Sequence, residues 1–355
     1  MNLLSLEAIF SSYPPHERFV LVDSHLFPLY PDLQVQLNQL ARGGILMMAA
    51  DESQKNIDSI GEIWQFLLSH NATRHAILIC VGGGVISDMG GFAAATYKRG
   101  IVYANIPTTL LAMVDASSGG KTGIDFSASD GVIYKNCVGL FYPPIDTIML
   151  PDWLDTLPTQ QFLSGYAELI KTTMLDNEKT FLKSLSCLEN YMESSTNNTS
   201  EVFLLAEHAV SVKQSIVTED PTEQGKRKVL NLGHTIGHAL EEMSLSEQHP
   251  IAHGYAVLYG LIGALYLSVI RLGMDRKPLQ WLTSVMLRYY GRPQCTCRDV
   301  EGLLLRMRND KKNSCDSAGL AQIRFTLLAQ IGDPMPDQIV PDDQIVQAIE
   351  YINSL

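Results

Sequence analysis

Over the first 150 or so residues, short apolar runs alternate with longer stretches of mixed polarity. Residues 19–22, 44–48, 76–81 and 101–106 are apolar runs too short for a helix and about as long as a buried strand. Between them, residues 57–68 and 88–97 read as helices, the first with a Ser or Asp ahead of it as a cap. Strands alternating with helices predict an α/β domain, Rossmann-like in having a mostly parallel sheet flanked by helices. From about residue 159 the β-like runs largely vanish and helical patterns dominate, among them residues 162–175 and 211–216. The expected division is therefore an α/β domain over 1–158 and an all-α domain over 159–355. Residues 193–198, ESSTNN, read as a surface turn between helices. There is no internal repeat.

The totals narrow the class. A chain of 355 residues exceeds the usual single core and suits two domains. With 46% hydrophobic and 18% charged residues it reads as globular, with little room for disorder. A formal charge of −12 argues against nucleic acid or an anionic membrane as partner, but leaves room for a small anionic ligand met by a local cluster of Lys and Arg. No apolar run is expected to cross a membrane. The first residues carry Glu7 and no basic leader, so a secretory signal is not expected. Six cysteines without regular spacing read as free thiols in a reducing compartment. The expected location is the cytoplasm.

The chemistry concentrates in two stretches. In the first, residues 79–123, the run ending at Val81 meets Gly82-Gly83-Gly84 and then a small-residue helix. Glycines let backbone amides approach a ligand, and a strand–glycine turn–helix aims the helix N-terminus at an anion, usually a phosphate. The run 101–106 ends in Pro107-Thr108-Thr109, and Asp115, Gly119, Gly120 and Lys121 follow. The spacing is not the GxGxxG dinucleotide fingerprint, so that motif assigns no cofactor here.

In the second, residues 230–241, LNLGHTIGHALE, place His234 and His238 four apart on one helix face, and His253-Gly254 follows. The glutamate of an HExxH metalloprotease is absent. The pair is read either as metal ligands or as structural helix histidines.

GGGVISDMGGFAAATYKRG followed by IPTTLLAMVDASSGGKTGID resembles the signature of 3-dehydroquinate synthase, a sugar phosphate cyclase of aromatic amino acid biosynthesis. The resemblance implies NAD and a divalent metal, zinc or cobalt, the metal held by Glu168, His234 and His253 in an open three-ligand site. It implies that Asp23, Glu52, Lys55, Gly83, Gly84, Val85, Asp88, Thr108, Thr109, Lys121, Lys135, Thr156 and Leu157 contact the cofactor. Lys121, Glu168, Lys171, Lys213, Glu223, Asn231 and His238 fall at catalytic positions. Asp115, Asn136, Arg227 and Lys311 or Lys312 fall at substrate-binding ones. Arg227 suits bidentate contact with a carboxylate. Arg99 matches an arginine lent to the partner subunit, which implies a homodimer.

The implied substrate is 3-deoxy-D-arabino-heptulosonate 7-phosphate, oxidised transiently by NAD, relieved of phosphate by β-elimination, reduced again and closed to 3-dehydroquinate.

The chain departs from the family in places. Residues 126–134, FSASDGVIY, delay Lys135-Asn136 and are expected to form a lengthened loop with Gly131 in its turn. Leu150 stands where a strand-ending aspartate is usual, and Tyr255 where a glutamate is commoner. The nearest alternatives are 2-deoxy-scyllo-inosose synthase and 2-epi-5-epi-valiolone synthase, which share the NAD and zinc machinery; Arg227 and Lys213 favour a carboxylate-bearing substrate. A polyol dehydrogenase and a noncatalytic assembly protein are weaker readings.

Overall fold

The computed structural model describes residues 3–128, 133–194, 199–246, 249–293, 300–309 and 322–355. The chain forms two compact units, Met1–Leu157 and Pro158–Leu355.

The first unit is built on a four-stranded parallel sheet: β1 (Arg18–Asp23), β2 (Gly44–Met48), β3 (Ile77–Gly82) and β4 (Val102–Pro107), in the order β2-β1-β3-β4. Between strands the chain crosses over through α1 (Leu33–Leu40), α2 (Ile57–Ser69) and α3 (Gly84–Thr96). Strand β3 is buried along its whole length, which explains its unbroken apolar run. Its side chains join Phe19, Leu21, Ile60, Ile63, Met89 and Phe92 in the core.

Because the strands are parallel, β1 to β4 end on one edge, and the strand order reverses between β1 and β3. In open α/β sheets that edge and that reversal mark the ligand crevice.

Helix α3 begins at Gly84, four residues earlier than the pattern suggests, with Gly83 as its extended cap residue. The small residues at its start carry no amphipathic signal, so periodicity alone misses the first turn. Close packing explains the glycines: a Cβ on Gly82 would lie 2.6 Å from Ile86, and one on Gly91 would run into Thr122 and Tyr103.

After α3, β5 (Lys121–Ser127) and β6 (Ile133–Phe141) pair antiparallel with a bulge between Ile124 and Phe126. The two ends of the segment expected as a lengthened loop are thus hairpin strands, since Phe126 pairs with Tyr134 and Ser127 with Ile133. Gly131 lies outside the described residues. On β5 Thr122 and Ile124 are buried, while Phe126 and, on β6, Tyr134, Val138, Leu140 and Phe141 are exposed.

The second unit is helical with one β-hairpin. Its elements are α4 (Thr159–Asp176), α5 (Glu178–Glu193), α6 (Thr199–Glu219), α7 (His234–Ser246), α8 (His253–Leu272), α9 (Lys277–Val285), α10 (Val300–Asn309), the antiparallel strands β7 (Arg324–Gln330) and β8 (Asp333–Ile339), and α11 (Asp342–Ser354). The hairpin departs from an all-α expectation, and it braces the site: Thr235 Oγ1 donates to Arg324 O at 3.0 Å and Thr326 Oγ1 to Lys228 O at 3.0 Å.

Helix α8, contrary to the expectation from apolar runs, has the length and composition of a membrane span. Its apolar side chains are mostly buried within the unit, where it packs on α4, α7 and α11.

Candidate active site

The densest chemistry lies where α4, α7 and α8 converge. Glu168 on α4, His234 at the start of α7 and His253 at the start of α8 offer ligand atoms all within 4.8 Å of one another. Glycine contacts beside the ligands hold the helices this close. A Cβ on Gly254 would fall on the Ser164 carbonyl, one turn before Glu168, and one on Gly260 would strike Gly233 O, next to His234. Gly254 N–H also donates to Ser164 Oγ at 3.0 Å.

The donor set fits a metal. Glu168 is 1% exposed, and neither of its carboxylate oxygens makes a hydrogen bond of good geometry. A buried carboxylate is costly unless cations meet it, and its Oε1, which faces the two histidines, is open to one. His234 Nε2 lies 3.3 Å and His253 Nε2 3.4 Å from its Oε1. The opposite nitrogens are occupied: His234 Nδ1 lies 3.1 Å from Leu232 O and His253 Nδ1 2.9 Å from Glu241 Oε2. Imidazoles that ligate metals commonly donate their other N–H in this way.

Lys171, one turn after Glu168, forms a buried ion pair with it. Burial alone would raise the Glu168 carboxyl; Lys171 and His234 outweigh it and hold it well below the usual range. Burial alone would lower His253, but the facing carboxylates of Glu168 and Glu241 push it up to about 10. The cluster therefore gathers positive charge around one carboxylate.

His238 stands beside the trio, its ring centroid 5.0 Å from that of His234 and 6.0 Å from that of His253. The loop between α6 and α7 brings in further expected residues. Asp220 anchors it, accepting backbone N–H groups from Gln224 (2.9 Å), Gly225 (2.7 Å) and Arg227 (3.0 Å). Glu223 adopts the left-handed conformation, φ 61°, and accepts from Asn231 Nδ2 at 2.7 Å. Arg227 is buried, and its Nη1 donates to Pro221 O at 2.7 Å. Lys213 is buried on α6, which packs against α4 and the 226–231 turn. Lys311 and Lys312 lie outside the described residues.

In the first unit, Asp23 ends β1, Glu52 and Lys55 follow β2, Gly83, Gly84, Val85 and Asp88 follow β3, and Thr108 and Thr109 follow β4. All these segments leave the same edge of the sheet. The α3 N-terminus there is a ready anion site, closely walled: a Cβ on Gly83 would lie 3.2 Å from Thr109 and one on Gly84 3.2 Å from Ala116. Asp115 sits in a single π-helical turn, Ala112–Ala116, and Lys121 opens β5. Thr156 and Leu157 close the unit, where Tyr30 Oη and Thr156 Oγ1 are 2.7 Å apart.

Several of these residues also hold one another. Lys55, only 4% exposed, donates to Asp88 Oδ2 at 2.5 Å and Asn136 Oδ1 at 2.6 Å. Burial would lower the Lys55 pKa, but Asp88 and Glu52 overcome it and keep the ammonium charged. Asn136, in the left-handed conformation at φ 50°, donates its N–H to Asp125 Oδ1 at 2.8 Å, while Asp125 N–H donates to Lys55 O at 2.8 Å. Lys135 and Glu52 pair at 3.6 Å. The longer hairpin thus still delivers Lys135 and Asn136 to Glu52, Lys55 and Asp88. Arg99 sits between Lys98 and Gly100 in a run of three positive φ values, 48°, 67° and 112°.

Sequence reasoning passed over Asp125, Asp220 and Glu241. Asp125 closes the first recognised motif and, like Asp220, was open to notice as a local acceptor. Glu241 reads as an ordinary acid on an amphipathic helix, and only the fold brings His253 to it.

The family model described as 3-dehydroquinate synthase N-terminal matches residues 45–164, and the one described as 3-dehydroquinate synthase C-terminal matches residues 165–313. A protein named 3-dehydroquinate synthase from Parabacteroides distasonis is 40% identical, the match covering 98% of this chain and 94% of that one. One of the same name from Pyrococcus furiosus is 35% identical, covering 98% and 96%. Among solved structures, the fold is similar to 2-epi-5-epi-valiolone synthase from Streptomyces hygroscopicus with NAD+ and Zn2+ bound, at TM-score 0.82 and 24% identity over 99% of this chain and 94% of that one. It is similar also to 2-deoxy-scyllo-inosose synthase complexed with carbaglucose-6-phosphate, NAD+ and Co2+, at TM-score 0.78 and 23% identity over 98% and 94%. Both halves of the sequence and nearly the whole length of its relatives agree, and the chain belongs to the 3-dehydroquinate synthase family.

Proposed function

We propose that this protein converts 3-deoxy-D-arabino-heptulosonate 7-phosphate to 3-dehydroquinate and phosphate, a lyase reaction of the shikimate pathway. The observation that carries this reading is the buried Glu168 carboxylate facing His234 and His253, in a chain whose two halves both match the family.

Glu168, His234 and His253 hold the metal. Asp23 at the end of β1 takes the ribose, and the amides of the Gly83–Gly84 turn take the pyrophosphate of NAD. When bound, NAD supplies a reversible hydride acceptor and zinc or cobalt a Lewis acid at the substrate hydroxyls. The substrate passes through a ketone that acidifies the neighbouring C–H. Phosphate then leaves by β-elimination, and reduction, ring opening and aldol closure follow, so that no redox equivalent is consumed overall.

The chain's own groups fix the pose in which these steps occur. Arg227, anchored on Pro221 O, presents its guanidinium to the substrate carboxylate, with Lys213 as a second positive charge. Lys121 and His238 serve the phosphate end. The Glu223–Asn231 hydrogen bond holds both side chains in register, and Lys171 balances the Glu168 charge. The carboxylate-reading pair Arg227 and Lys213 favours this substrate over the sugar phosphates without a carboxylate that the related cyclases use.

A homodimer in which Arg99 enters the partner's site is the assembly proposed. Its support is the left-handed run at residues 98–100 and the exposed apolar side chains of the β5–β6 hairpin, Val138, Leu140 and Phe141 among them.

The test is turnover by purified, zinc-loaded protein with catalytic NAD. Phosphate release in step with dehydroquinate, without net NADH, is the expected outcome. Activity on sedoheptulose 7-phosphate or glucose 6-phosphate instead would move the protein to the neighbouring cyclases.

A further inference from the structure

Glu241 is a carboxylate that the reaction just described does not use. It lies on α7, seven residues after His234 and three after His238, so all three project from one face of the helix. Its side chain is 12% exposed, and its Oε2 stands 2.9 Å from His253 Nδ1.

His253 needs such support more than His234 does. His234 is buried, with its Nδ1 beside the main-chain carbonyl of Leu232. His253 is the first residue of α8, after a cap residue, Ala252, that makes no side-chain capping bond. Its side chain is 28% exposed, so packing leaves the ring more freedom to turn. An imidazole that gives its Nδ1 proton to an acceptor offers the lone pair of Nε2, and the acceptor also fixes the ring plane. Here the acceptor is on a neighbouring helix, and Nε2 is the atom that faces Glu168.

We propose that Glu241 is a positioning residue that holds His253 as its Nδ1–H tautomer with Nε2 toward Glu168 and His234, and so sets the affinity for the divalent metal without touching it. The bland alternative is an incidental pair between a helix acid and a half-exposed histidine, whose removal would cost the metal nothing. The proposal rests on reading Glu168, His234 and His253 as the metal site, and the test separates the two.

Full-length protein is stripped with a chelator, and Co2+ affinity is measured by competition with a chromophoric chelator, alongside the visible cobalt absorption. Glu241→Ala is expected to weaken cobalt binding about 10- to 100-fold and to shift the cobalt bands. Glu241→Gln, whose amide oxygen can still accept from Nδ1–H, is expected to recover most of the affinity. Glu242→Gln, on the exposed neighbour, is expected to change neither. The metal-free Glu241→Ala and Glu241→Gln proteins, which both lose the charge facing His253, are expected to unfold alike, so a difference in cobalt affinity between them separates positioning from folding. Glu241→Ala with unaltered cobalt affinity and spectrum would overturn the proposal. Unaltered cobalt binding by His234→Ala would overturn the metal site itself.

Discussion

Glu168 shows how one buried side chain states its need for a cation. Its carboxylate lies among Lys171, His234 and His253, and neither oxygen is satisfied by a well-aligned donor. Glu168→Gln keeps the shape and removes the charge. Metal content should fall from about one per chain to near zero, with a loss in kcat/KM on the order of 10³. The same change takes away the carboxylate that pairs with the buried Lys171 ammonium, so the metal-free variant should be less stable than the metal-free parent by roughly 3 kcal/mol. Adding Lys171→Met should restore much of that stability and none of the metal, and urea unfolding with metal analysis reads both. A Glu168→Gln protein that still held zinc would remove the basis of the site. Arg227→Lys keeps a positive charge but loses the planar fork. KM for the heptulosonate phosphate should rise about tenfold or more, with protein stability little changed. Steady-state kinetics decide it, and an unchanged KM would put the substrate carboxylate elsewhere.

Helices bring the ligands together, and they do so through backbone contacts that leave no room for a side chain. Gly254 meets the Ser164 carbonyl, so Gly254→Ala must push α8 off α4 and carry His253 with it. The expected result is a loss of roughly 1–3 kcal/mol in stability together with weaker zinc binding. Calorimetry and metal titration measure the two, and intact metal affinity would mean that the ligands tolerate the shift. The loop between α6 and α7 depends instead on Asp220, whose carboxyl is held below its usual pKa by the backbone N–H groups of Gln224, Gly225 and Arg227. A depressed folded pKa contributes stability above the unfolded value of about 3.9, and the contribution is lost as the pH falls through the folded value. The stability gap between the parent and Asp220→Asn should therefore be constant near neutrality and close below about pH 4, as urea midpoints across pH will show; a gap independent of pH would refute this. At this scale the sequence is legible in part. The four parallel strands stand out because each is a short apolar run bounded by turn residues. The first turn of α3 is hidden, because Gly84 to Ser87 have no amphipathic period, and the Phe126–Tyr134 pairing is masked by a glycine that looks like a loop. Glu241 is illegible for a different reason. Its partner is on another helix, and no spacing rule links them.

Each unit gathers groups suited to one task. The parallel sheet, with its order reversed between β1 and β3, gathers Asp23, Lys55, Asp88 and the Gly83–Gly84 turn from separate crossovers. The helical unit supplies the metal ligands and the buried Arg227 and Lys213. Of the first set, the strand pattern made only the glycine turn visible; Asp23, Lys55 and Asp88 came through the family resemblance. In the second, spacing alone offered the histidines of 230–241 as possible ligands, but Glu168 joined them only through the resemblance, because it is far along the chain from His234 and His253. If the tasks divide this way, damage to one set should spare binding at the other. Asp23→Asn removes the charge that would meet the ribose hydroxyls, and NAD affinity should fall about tenfold while zinc content stays near one per chain. His234→Ala should empty the metal site yet leave NAD affinity within about twofold, since effects at sites without shared partners add. Both variants should lose turnover of the heptulosonate phosphate, because neither hydride transfer nor metal assistance suffices alone. Fluorescence titration with NAD and metal analysis on the same preparations read the four quantities. A His234→Ala protein that no longer binds NAD would show the tasks to be thermodynamically coupled, and the division by unit would have to be abandoned.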